Sequence, residues 1–82
     1  MRVEQFHVKN QFVIIDDFGT EHFQSYQSII AKRTRSGFIT LDKHFWNYSK
    51  MTAKYRNLFL GLTTDETKQK IADGTIKLEN LN

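Results

Sequence analysis

The chain has 82 residues and a mass of 9.7 kDa, enough for one hydrophobic core and not two. It holds no cysteine, which excludes a disulfide framework, a thiolate zinc site and a cysteine nucleophile together. Its net charge is +3, and its longest apolar run, Phe12 to Ile15, falls far short of the ~20 residues that span a bilayer. The opening segment MRVEQFHVKN has no apolar leader core, so the reading is a single cytoplasmic domain over residues 1–82.

Residues 2–8 and 11–16 read as two strands around a Lys9-Asn10 turn, Asn tolerating the left-handed backbone of tight hairpins. Phe12 to Ile15 is apolar on both faces and belongs inside a sheet. Asp16-Asp17-Phe18-Gly19 is turn chemistry. A third strand, Thr20 to Tyr26, is polar apart from Phe23 and Tyr26 and reads as an edge. Ser28–Thr34 and Phe38–Leu41 form a second hairpin around Arg35-Ser36-Gly37.

The period changes after residue 46. Tyr48, Met51, Tyr55, Leu58, Phe59 and Leu62 fall on one face of a helix, with Ser49 as N-cap and Gly61 as stop. Thr63 and Glu66 make a capping box for a second helix, which Gly74 closes. Ile76 and Leu78 then alternate as a short strand. The predicted fold is α+β: an antiparallel meander of about five strands, two helices and a C-terminal strand. A free edge at the third or last strand offers a route to a homodimer.

His7, His22 and His44 lie on separate elements without metal-ligand spacing, so no metal or cofactor is expected. Asp16 and Asp17 point to opposite faces of an extended chain and do not converge on one substrate atom. No nucleophile elbow or phosphate loop is present. The expectation is a binding protein, not an enzyme. Charge is uneven: residues 1–31 sum to −2, residues 32–56 to +6 and residues 57–82 to −1. Within the central block, Lys32, Arg33 and Arg35 sit on the second hairpin, and Lys50 and Lys54 lie one helical turn apart. These five are the candidate binding residues for an acidic protein or for phosphates. A plain solvated face is the competing reading. Phe45, Trp46 and Tyr48 read either as core joining sheet to helix or as stacking platforms beside lysines.

The segment from Trp46 to Leu60, with its W-x-Y-S step and K-Y-x-x-x-F-L helix, resembles a family of small uncharacterised proteins carried by phages, plasmids and related mobile elements of Gram-positive bacteria. The stretch Phe23 to Ala31 and the strand Ile39 to Leu41 match the front half of the same pattern, although Met51 stands where a second Thr is more usual. The resemblance implies a mobile-element setting in a host cytoplasm and assigns no activity. With the small size, it points to a phage protein that binds and inhibits or redirects a host or defence protein, as anti-CRISPR and other anti-defence inhibitors do. The alternative is a small nucleic-acid-binding accessory or regulatory protein using residues 32–56. Trp46 and Tyr48 are expected to anchor the crossing from sheet to helix.

Overall fold

A computed structural model describes residues 1–82. The elements run β1 (Arg2–Gln5), β2 (Gln11–Ile15), β3 (Glu21–Ser25), β4 (Ser28–Arg33), β5 (Ile39–Asp42), α1 (Lys50–Leu60), α2 (Thr64–Ala72) and β6 (Lys77–Glu79). They build one six-stranded sheet in the order β1-β2-β3-β4-β5-β6. The first five strands form an antiparallel meander, and β6 returns parallel to β5 after the two helices. The α+β architecture is the predicted one.

Local chemistry explains the boundaries. Strand β1 stops at Gln5, well before Val8, because His7 and Asn10 adopt positive φ (66° and 70°) and fold Phe6 to Asn10 into a loop. Asp16 Oδ1 accepts from the amides of Phe18 (2.9 Å) and Thr20 (3.0 Å), which fixes the β2–β3 turn. Ser49 Oγ accepts from the Thr52 amide at the start of α1, and Gly61 ends that helix at φ 72°. The capping box between Thr63 and Glu66 is complete. No helix is long and apolar enough to cross a membrane.

Both helices lie on one face of the sheet. Val13, Phe23, Ala31 and Leu41, neighbours across β2 to β5, meet Tyr55, Phe59 and Leu60 of α1, and Ile71 of α2 packs against the same cluster. Strand β3 is therefore central, not an edge: Phe23 and Ser25 are buried under α1, and His22 and Gln24 occupy the opposite face. The free edges belong to β1 and β6.

The predicted helix stripe is also corrected. Tyr48 (70% exposed), Met51 and Leu58 lie at the surface, while α1 buries Thr52, Tyr55, Arg56, Phe59 and Leu60. The buried set keeps i, i+3, i+4, i+7, i+8 spacing, but two of its members are polar. Trp46 is half-buried against the core, whereas Tyr48 does not anchor the crossing. Arg56 does so instead. Its guanidinium, fully buried, donates to the Trp46 carbonyl (2.6 Å), Asn47 Oδ1 (3.2 Å), Asn57 Oδ1 (2.8 Å) and Thr64 Oγ1 (2.9 Å), and lies 5.2 Å from the Trp46 ring centroid. The W-x-Y-S and K-Y-x-x-x-F-L segments are thus joined by a buried arginine that is the third residue of the second.

Candidate binding surface

The five candidate cations do not form one patch. Arg33 is held on the helix side of the sheet: its Nη2 lies 3.0 Å from Glu21 Oε1, its Nη1 donates to the Phe59 carbonyl at 2.8 Å, and its guanidinium stacks 4.4 Å from the Phe59 ring centroid. Arg35 lays its aliphatic stem over Gly19 (φ 82°), where a Cβ would stand 3.3 Å from Arg35 Cδ. Lys50 and Lys54 are exposed on α1, and Lys54 Nζ sits 5.4 Å from the Tyr55 ring centroid. Because the Phe59 end of α1 meets Arg33 and its Thr52 end meets Ser25, Lys50 and the hairpin tip stand at opposite ends of that helix. Lys32, flanked by two residues that face the helices, points to the other side of the sheet. The +6 block thus loses Arg33 and Arg56 to internal contacts.

That other side carries the more informative chemistry. Strand register aligns Val3, Ile14, His22, Lys32, Thr40 and Lys77 as one row across all six strands. A second row runs Gln5, Phe12, Gln24 and Ile29. Phe12, Ile14 and Ile29 are only half-buried and stand outside the core cluster, and Val3 is 58% exposed. No helix covers them. The apolar side chains come from β1, β2 and β4, with His22 and Gln24 of β3 between them, and the cations Lys32 of β4 and Lys77 of β6 form no ion pair. The nearby carboxylates are Asp16, which meets His22 Nε2 at 3.1 Å, Asp42, which is buried, and Glu79 at the sheet edge.

Two of these carboxylates are held low by identifiable groups. The His22 hydrogen bond keeps Asp16 below the usual carboxylate range, with the Thr20 and Phe18 amides adding to it against burial. Burial pushes Asp42 upward, but the amides of Leu81, His44 and Phe45 and the Asn82 side chain outweigh it and hold it low. Asp42 thereby ties β5, the 43–45 turn and the C-terminal segment together. No three His, Asp or Glu side chains converge on a point that could hold a metal ion.

The sheet row was not legible as a site, because it draws one residue from each strand and depends on a register that the sequence does not specify. The signal that was available is Phe12 to Ile15, apolar on both faces in a sheet that has only one layer of helices. Comparison with curated proteins and with solved structures gives no match. Over residues 2–74, from β1 through the end of α2, the chain matches the Family of unknown function (DUF8033), and it belongs to that family.

Proposed function

We propose that this chain is a non-enzymatic binding protein whose open sheet face seats a host or defence protein and thereby inhibits or redirects it. The observation that carries the reading is the half-buried set Phe12, Ile14 and Ile29, which lies outside the core with no helix over it, the Asn82 side chain meeting only the backbone of Ile29 by hydrogen bonds. Exposed apolar side chains grouped beside cations are the composition of an interface centre with a polar rim. The partner surface that complements it is apolar, flanked by acidic side chains that meet Lys32 and Lys77. The mobile-element resemblance of the Trp46 to Leu60 segment supports an anti-defence role in the host cytoplasm.

The test is affinity capture from lysate of a Gram-positive host, with the wild-type chain and the Phe12→Ser/Lys32→Glu variant run in parallel. A stoichiometric protein retained by the wild type and lost by the variant supports the proposal. Equal recovery by both, or none by either, overturns it. A second reading, single-stranded nucleic acid on the same face, is favoured by Phe12 standing in a surface with two unpaired lysines. Retention of an oligonucleotide at low salt that is lost steeply as salt rises would select it.

A further inference from the structure

A cleft of about 320 Å³ opens at the end of the molecule where the β3–β4 turn meets the start of α1, lined by Ser25, Tyr26, Ser28, Ile30, Phe45, Tyr48 and Thr52. Five of these seven residues carry hydroxyls, two are apolar, and none is charged. Tyr26 and Tyr48 are 52% and 70% exposed. Tyr26 is fixed in place: its hydroxyl donates to Met51 Sδ at 3.3 Å, and its backbone holds φ 55°, a conformation that bulky residues rarely adopt. The Tyr48 ring is braced edge-on by Phe45, with centroids 5.7 Å apart.

The inner wall contains a hydroxyl chain with a hydrogen left over. Ser49 Oγ donates to Thr52 Oγ1 at 3.1 Å, and Thr52 Oγ1 shares a second hydrogen bond with Ser25 Oγ, 3.2 Å away, in which either hydroxyl can be the donor. Two bonds join three hydroxyls, so one hydrogen, on Thr52 or on Ser25, is not used within the chain, and both residues are buried and line the cleft. A buried donor without an acceptor is costly, and an incoming oxygen would satisfy it.

We infer that this cleft binds a neutral, hydroxyl-bearing ring: one saccharide unit. The volume suits a single ring, lying at the small end of the range for ligand sites. The absence of charge along the lining disfavours a phosphate or carboxylate ligand, which would bring an uncompensated charge. The exposed tyrosine rings offer apolar faces to the C–H side of a sugar, while Ser25, Ser28 and Tyr48 exchange hydrogen bonds with its hydroxyls. The site is separate from the open sheet face and does not depend on it.

The test is a ¹H–¹⁵N NMR titration of the full chain with methyl glucoside and with N-acetylglucosamine, and with adenosine and glycerol as comparison probes. Saturable shifts from one of the sugars, confined to the amides around Ser25, Ser28, Ile30, Tyr48 and Thr52, are expected. Tyr48→Ala, which removes an exposed ring, is expected to weaken that binding about tenfold with an unchanged melting temperature, the size of one aromatic contact. Shifts from adenosine alone would reassign the cleft to a planar base and overturn the proposal. Equal shifts from glycerol, or none from either sugar, would also overturn it.

Discussion

Arg56 sits where an apolar residue would ordinarily be, and its hydrogen bonds explain why it is tolerated. Four neutral oxygens receive its donors, only Nε lacks a partner, and burial pulls its pKa below the ordinary value. Those acceptors come from the 46–47 turn, α1 and Thr64 of α2, so truncation would remove the donor that joins all three and leave a cavity where a fully buried side chain stood. Arg56→Ala is expected to cost about 3 kcal/mol or more in chemical denaturation. Arg56→Lys should recover little of it, since an ammonium cannot match the planar fork. Asp42 is the complementary case, a buried carboxylate satisfied by backbone amides. A carboxylate held below its ordinary value stabilises the fold above its unfolded pKa of about 3.9, and that contribution is lost as pH falls through the folded value. Asp42→Asn should therefore lower the melting temperature at neutral pH, and the gap to wild type should begin to narrow as pH falls below about 3.9 and close only below the lower folded value, where the native carboxylate protonates as well. A gap constant across that range would show that the carboxylate charge contributes nothing.

At the scale of elements, what could be read from the chain depended on whether the signal was local. Caps are local: Ser49, Gly61 and the Thr63/Glu66 pair mark their helix ends within a few residues, and each is where it was expected. Ser49→Ala is accordingly predicted to cost about 1 kcal/mol in thermal or chemical unfolding. Gly61→Ala should cost a similar ~1 kcal/mol through backbone strain alone, since a Cβ there meets nothing within 4 Å. The burial face of α1 is a different matter. Thr52 and Arg56 enter the core only because Ser25 and the Trp46 carbonyl come from distant positions to pair with them, so hydrophobic spacing selected Met51 and Leu58 instead. Strand β3 misleads for a related reason. A central strand with one bare face has the same alternation as an edge strand, and only the pairing partners tell them apart.

Across the whole molecule, a single layer of helices over a six-stranded sheet divides each strand into one set of residues that the fold needs and another that it leaves available. The hairpin arginine belongs to the first set. Reversing Arg33 would set a carboxylate against Glu21 and strip the Phe59 carbonyl of its donor, so Arg33→Glu reports on stability before it reports on binding. Strand β2 gives the cleanest separation, because Val13 and Ile14 are adjacent, β-branched and oppositely directed. Val13 is buried among Phe23, Ala31 and Phe59, whereas Ile14 faces the row with His22 and Lys32. Val13→Ser removes methyl groups from the core and buries a hydroxyl, which should cost about 2–3 kcal/mol. Ile14→Ser exposes that hydroxyl to water on the bare face and should cost about 1 kcal/mol or less. For partner binding the order is expected to reverse: at a temperature where both variants are folded, Ile14→Ser loses the partner captured by the wild type and Val13→Ser keeps it. Equal stability losses in the two variants would mean that the second sheet face is packed in solution, and the interface would then have to be sought elsewhere on the molecule.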